Sequence, residues 1–311
     1  MKLGLILGMR CNASCTHCSY SSGPYRTESL NRELALRAMD EAAAAIGEGE
    51  SLNFLLTGGE PFLDFEFLLE VVSHGAKLGG YVNCVTNAYW AKTDEVATEM
   101  LSRLHDAGLS ALAVSVSRFH QQYVPLHRAR RALQVAASLG MQTELKGVVT
   151  NEDLEPGGTL HEWKSSLDAD TINIFPVLPS LRDGAALPEG AYYRVPGLPS
   201  EPCPGEVLTL YYNGIARSCC FPPSTDRFLT IGDARSQPIA DLLSRLRDGA
   251  RQRILREHGP IHFAKAAMDA GLGDRLRDSY AGPCDLCEHI RNDPALRRVA
   301  ETVSAIETFE E

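Results

Sequence analysis

Short apolar runs separated by longer amphipathic stretches fill the first 177 residues of the chain. LGLILG (3–8), LNFLLT (52–57), YVNCVT (81–86), LSALAVSV (109–116), QTELKGVV (142–149) and TINIFPV (171–177) predict buried parallel strands. Residues 31–46, 64–78, 93–107, 125–139 and 159–167 predict the helices between them. Thr93 followed by Asp94 and Glu95 reads as a helix start, and Gly47, Gly108 and Gly140 fall just past three helix ends. Such alternation means repeated βαβ units and a parallel sheet, but six units are too few for a closed eight-stranded barrel. The expected fold class is α/β, a laterally open partial (β/α)6 barrel over residues 1–180.

Beyond residue 178 the pattern changes. Residues 181–202 are rich in Pro and Gly and predict a linker. In EVLTLYYNGIARSCC, Asn213-Gly214 separates two β-prone runs, which predicts a hairpin. Residues 237–257, 262–270 and 288–308 then predict helices, interrupted by Gly282-Pro283-Cys284. A small β-hairpin plus helical extension over 203–311 is expected to follow the barrel.

A net charge of −10 argues against non-specific binding to nucleic acid or anionic lipid. No signal peptide is apparent, and no apolar run approaches the ~20 residues needed to span a bilayer. A cytoplasmic chain with no membrane or nucleic-acid partner is the expectation. In that setting, nine cysteines are a poor match for a disulfide framework. They fall as Cys11, Cys15 and Cys18, then Cys84, then Cys203, Cys219 and Cys220, then Cys284 and Cys287. Thiolates grouped this way point to metal or iron–sulfur ligation.

The first group, CNASCTHC, leaves the first predicted strand where barrel folds place their chemistry. Three thiolates can hold three irons of a 4Fe–4S cubane and leave the fourth open, whereas a structural zinc wants four protein ligands. A catalytic zinc with three thiolates and a water is the alternative on the residues alone. After the second strand comes Thr57-Gly58-Gly59-Glu60-Pro61, in which glycines permit close approach and Glu60 can accept from an ammonium group.

CxxxCxxC followed by GGEP, each at a strand's C-terminal end, resembles the radical S-adenosylmethionine (radical SAM) enzymes over residues 1–177. The resemblance implies that Cys11, Cys15 and Cys18 carry a 4Fe–4S cluster whose open iron takes SAM. It implies reductive cleavage of SAM to a 5′-deoxyadenosyl radical that removes a substrate hydrogen atom. His17 stands at the family's often aromatic position, and Gly58, Gly59, Glu60 and Pro61 at the segment holding the SAM amino group. By position, Asn87, Ser115, Ser117, Lys146 and Ile174 match polar, carboxylate or adenine contacts to SAM. Strand-end capping or ordinary core packing is the alternative for each.

Cys203, Gly214, Cys219 and Cys284-x-x-Cys287 resemble the auxiliary-cluster region called twitch, the shorter relative of the SPASM domain. The resemblance implies a second 4Fe–4S cluster closed by four thiolates; a structural zinc is the alternative. Either Cys219 or its neighbour Cys220 can serve, with the glycine spacing favouring Cys219. Cys220 and Cys84 remain as candidate hydrogen-atom donors, Cys84 reading equally as a buried apolar residue.

A closed second cluster suits electron relay, and the group includes peptide maturases, aminocyclitol and sugar dehydrogenases or epimerases, and sulfatase-maturing enzymes. Oxidation or cross-linking of a ribosomally made peptide is the first expectation and a small sugar-like substrate the second. A non-catalytic iron–sulfur or zinc protein is the reading from another class. The expected partners are a flavodoxin or ferredoxin as electron donor and, since the first strand begins at residue 3, a separate peptide-recognition protein.

Overall fold

The computed structural model describes residues 1–47, 49–179, 181–203, 206–219 and 227–309. Six parallel strands form in the predicted places: β1 (Lys2–Ile6), β2 (Asn53–Thr57), β3 (Tyr81–Thr86), β4 (Ala111–Val116), β5 (Gln142–Val149) and β6 (Thr171–Pro176). The connecting helices are α1 (Arg32–Ala44), α2 (Phe65–Lys77), α3 (Asp94–Asp106), the short α4 (Arg118–Gln121), α5 (Leu126–Ser138), the short α6 (Asn151–Leu154) and α7 (Thr159–Ser166). Their starts are fixed locally: Asn31 accepts from Leu34 N at 2.9 Å, Asp64 from Phe67 N at 3.2 Å and Thr93 from Val96 N at 3.3 Å.

The alternation along each strand separates two faces. Leu3 and Leu5, Phe54 and Leu56, Val82 and Cys84, Leu112 and Val114, and Leu145 join the helices in one large buried core. The other face carries Ile6, Thr57, Asn83, Ser115, Glu144, Lys146 and Asn173, and it is the concave side of the barrel.

The C-terminal region adds β7 (Val195–Pro196), β8 (Val207–Leu210), β9 (Ile215–Arg217), β10 (Thr230–Asp233) and β11 (Ser279–Tyr280). The predicted hairpin turns at Gly214, whose N donates to Tyr211 O at 2.8 Å. The hairpin is not a separate unit, because β8 pairs in parallel with β1 and the sheet runs β10-β9-β8-β1-β2-β3-β4-β5-β6. Leu208 and Leu210 are fully buried in the main core, so burial of that face favours the added strand.

Helices α8 (Ile239–Asp248), α9 (Ala250–Glu257), α10 (Ile261–Asp269), α11 (Pro283–Asn292) and α12 (Pro294–Phe309) complete the chain. The single helix expected over 237–257 breaks at Gly249, whose backbone is extended (φ −64°, ψ 130°). The helix expected from 288 instead starts at Pro283, a residue suited to the first helical position. It stops before Pro294, where Asp293 Oδ1 caps the next helix by accepting from Ala295 N at 2.8 Å and Leu296 N at 3.1 Å. A second buried core, including Phe228, Phe263, Tyr280, Leu286 and Leu296, lies among α9–α12. Among the described residues, no helix is long and apolar enough to cross a membrane.

Candidate functional site

The loops that leave β1 and β2 meet along their backbones. Gly59 N donates to Gly8 O and Glu60 N to Arg10 O, both at 2.8 Å. A Cβ on Gly58 (φ +142°) would collide with the Gly8 carbonyl, and one on Gly59 with the Arg10 carbonyl. The two glycines are therefore required for approach to the cysteine loop itself, a partner that sequence alone did not reveal.

Glu60 is 3% exposed and turned toward the third loop. Its carboxylate accepts from Phe62 N at 3.2 Å, Thr86 Oγ1 at 2.8 Å and Asn87 N at 2.8 Å. Burial pushes its pKa up to about 7, against the pull of these donors. Pro61 opens a 3-10 turn to Asp64, and Phe62 stacks on Trp90 with centroids 4.3 Å apart. Trp90 Nε1 in turn donates to Thr86 Oγ1 at 3.0 Å, so the GGEP segment and the third loop form one block.

Asn87 joins that block to the first loop. Its Nδ2 donates to Asn12 Oδ1 at 2.9 Å and lies 3.7 Å from Cys11 Sγ. Cys11 and Cys15 are buried and Cys18 half-buried, and none is in a disulfide. Burial pushes Cys11 and Cys15 up to about 12, helped by the Glu60 carboxylate at Cys11 and by the neighbouring thiols at both. Their protons are thus costly to lose to water alone, while a bound cation reverses that preference. Among the described residues, no three His, Cys, Asp or Glu side chains converge on a single metal ion. Thiolates of a cubane each bond a different iron, so the donor chemistry of three thiols on one loop, two of them buried, fits such a cluster.

Phe119, Val177, Leu181 and Tyr192 pack with Cys11, Ala13 and Cys15 in a small apolar cluster that excludes water from the loop. His17 stacks on Phe119 at 4.8 Å and meets His120 edge-on at 4.7 Å. Burial holds His17 well below its usual pKa and His120 down to about 4, so both rings are neutral at pH 7. His17 Nδ1 is buried with no hydrogen-bond partner among the described residues. Ser117 is fully buried and caps α4, accepting from His120 N at 3.1 Å and meeting His120 Nδ1 at 2.8 Å. The capping reading accounts for it.

Ser115 and Lys146 sit side by side in register on the concave face. Lys146 Nζ lies 3.5 Å from Glu144 Oε1, which also accepts from Asn173 Nδ2 at 2.7 Å. Two expected residues belong elsewhere. Ile174 is on the helix-facing side, against Gly147 and the main core, because its strand neighbours Asn173 and Phe175 take the concave positions. Cys84 is fully buried on that same helix-facing side, which corrects its assignment as a hydrogen donor. Cys220 lies outside the described residues.

The expected linker does more than connect. Arg182 Nε donates to Cys15 O at 3.1 Å, and its Nη2 donates to Ser22 O. Further on, β7 pairs with β11, and Gly197 N donates to Asp278 O at 2.8 Å beside the second CxxC. A Pro/Gly-rich composition carries no signal for such long-range pairing, so these residues were missed.

Cys203, Cys219 and Cys287 are half-buried along the second core, and Cys284 is exposed in the first turn of α11. Cys203 N donates to Leu255 O at 2.8 Å. Asp285, 1% exposed, accepts from Ala281 N at 2.9 Å and Arg277 Nη2 at 2.6 Å, anchoring the CxxC turn. Tyr280 OH meets His289 Nδ1 at 2.9 Å on the same turn.

The chain is similar to several known proteins. The chain is 24% identical over 299 residues, covering 92% of itself and 90% of the relative, to the "Putative peptide biosynthesis protein YydG" of Bacillus subtilis (strain 168). It is 26% identical over 175 residues to the PqqA peptide cyclase of Bradyrhizobium diazoefficiens, covering 53% of this chain and 43% of that one. Among solved structures, native anSMEcpe with bound AdoMet superposes with a TM-score of 0.60 at 15% identity, over 99% of this chain and 96% of that one. BtrN in complex with AdoMet and 2-DOIA gives 0.50 at 14% identity, over 85% and 89%. Both superpositions speak to the fold. Residues 5–164, more than half the chain and the whole span of the three joined loops, match the radical SAM superfamily, and the chain belongs to it.

Proposed function

We propose that this protein is a radical SAM enzyme that modifies a peptide, with Cys11, Cys15 and Cys18 holding a 4Fe–4S cluster. Likeness to YydG along nearly the whole of both chains, rather than over the barrel alone, is the observation that carries the peptide reading. The cluster and SAM together supply one-electron reductive cleavage of SAM and removal of a hydrogen atom from an unreactive substrate C–H bond.

The chain's own residues bind, orient and shield. Gly58 and Gly59 bring the second loop onto the first without steric conflict. Glu60 acts mainly as an organiser, its carboxylate holding Asn87 where the amide reaches Asn12 and Cys11. Ser115 and Lys146 offer polar contacts from the concave face, with Glu144 partly neutralising the lysine. His17 fills the space between the loop and Phe119 and keeps a bare ring nitrogen. The apolar cover of Phe119, Val177, Leu181 and Tyr192 keeps water from a reactive centre.

Cys203, Cys219, Cys284 and Cys287 are proposed to hold a second 4Fe–4S cluster. Four thiolates from the chain leave no iron open, so these residues suit electron transfer and a net oxidation or cross-link in the peptide. In this reading residues 1–180 are the radical-generating core and 203–311 the auxiliary region. A flavodoxin or ferredoxin supplies electrons.

The test is anaerobic reconstitution followed by incubation with SAM, dithionite and short peptides encoded beside the gene. About eight irons per chain, release of 5′-deoxyadenosine and a peptide lighter by two hydrogens are expected. SAM cleavage with unmodified peptides, coupled instead to oxidation of a sugar-like metabolite, would overturn the peptide reading.

A further inference from the structure

The stretch after β6 returns to the cysteine loop and grips it at several points. Arg182 N donates to Thr16 O at 3.0 Å, and its Nε donates to Cys15 O at 3.1 Å. Nη2 donates to Ser22 O, and Nη1 lies 3.5 Å from where a Cβ would sit on Gly23. Asp183 N adds a bond to Ser21 Oγ at 3.2 Å. One guanidinium thus spans the loop from Cys15 to Ser22, across Cys18. Only arginine has this planar fork of donors.

The charge on that fork is left without a counter-ion. Its side-chain bonds go to main-chain carbonyls, and among the described residues no carboxylate pairs with it. With Nε 3.1 Å from the Cys15 carbonyl, that charge lies against the backbone of the cysteine loop itself. The apolar cover formed by Leu181, Val177 and Tyr192 lowers the local dielectric, which strengthens the field of that charge.

We propose that Arg182 is a positioning residue for the cysteine loop, clamping residues 15–22 and holding against that loop a positive charge, paired with no carboxylate among the described residues, that raises the reduction potential of the cluster the loop's thiols bind. The proposal rests on the reading that Cys11, Cys15 and Cys18 are the ligands. A cluster gains negative charge on reduction, and a fixed cation nearby stabilises the reduced state more than the oxidised one. The clamp works before any iron is present, since every bond in it is made by the chain.

Two variants and two readouts separate these roles. In the iron-free protein, amide exchange over residues 15–23 is expected to be about tenfold faster or more in Arg182→Gln, consistent with the loss of charged hydrogen bonds. In the reconstituted protein, the SAM-responsive EPR signal of Arg182→Gln should titrate at a more negative potential than wild type. Arg182→Lys, which keeps the charge but loses the fork, should exchange faster yet titrate close to wild type. Unchanged exchange in iron-free Arg182→Gln overturns the clamp, even if that variant fails to take up iron. An unchanged potential in iron-replete Arg182→Gln, or a lysine variant shifted as far as glutamine, overturns the charge effect. A SAM-responsive EPR signal that survives replacement of Cys11, Cys15 and Cys18 sinks the ligand reading instead, a result distinct from either.

Discussion

Cys11, Cys15 and Cys18 occupy one loop at the end of a parallel strand, whereas Cys203, Cys219, Cys284 and Cys287 come from three separated segments around a second core. The first group is positioned by backbone bonds among successive strand-end loops, with Glu60 and Asn87 as side-chain ties. The second depends on a hairpin seated on β1 and on a helix start anchored by Asp285 and Arg277. A site made by local loops needs glycines and short side chains at points of contact. One assembled from distant pieces needs packing and ion pairs. The difference accords with the proposal of a three-thiol site that keeps a position open for SAM and a four-thiol site that closes on itself.

Substitutions should separate the two, and the largest effect belongs to the first loop. Cys15→Ala is expected to abolish 5′-deoxyadenosine formation and to lower the iron content by about four atoms, checked by chromatography and iron analysis. Any SAM cleavage above background would break the assignment. Gly59→Ala comes next. Its methyl group must displace the Arg10 carbonyl, with an expected loss of about 1–3 kcal/mol in denaturant unfolding and weaker iron retention at the first site.

Glu60 gives a pH signature. Its folded pKa is raised to about 7 from 4.5, so the folded state binds the extra proton between those values. Its contribution to stability is therefore greatest below pH 4.5 and declines as pH rises through 7. Over that window the wild type should lose a few kcal/mol relative to Glu60→Gln, an order of magnitude set by the shift. Urea midpoints of both proteins at pH 5 and pH 8 measure it, and parallel pH profiles would contradict it. Ser117→Ala should cost about 1 kcal/mol through loss of the α4 cap, with SAM cleavage retained. Cys84→Val should have the smallest effect, leaving turnover unchanged because this thiol faces the helices.

The strands and helices of the barrel were readable from hydrophobic period because each buries one face against the same core. The cysteine loop and GGEP were readable because their chemistry is local. Ile174 was not, since TINIFP carries apolar residues on both faces and a one-residue shift exchanges them. Nor was the pairing of β8 with β1, which joins residues 207 and 2 across the whole barrel. Arg182 escaped for a related reason: its partners lie about 160 residues away, and nothing in the surrounding Pro/Gly-rich stretch distinguishes it.

The contrast between an open and a closed site is tested most directly by EPR of the reduced protein with and without SAM. It is best applied to two variants, one lacking Cys203 and Cys219 and the other lacking Cys11, Cys15 and Cys18. The first should retain about four irons and a signal that shifts when SAM is added. The second should retain a cluster whose signal SAM leaves unmoved. A SAM-dependent shift in the second variant, or none in an iron-replete first variant, would contradict the assignment of the open site to the first loop.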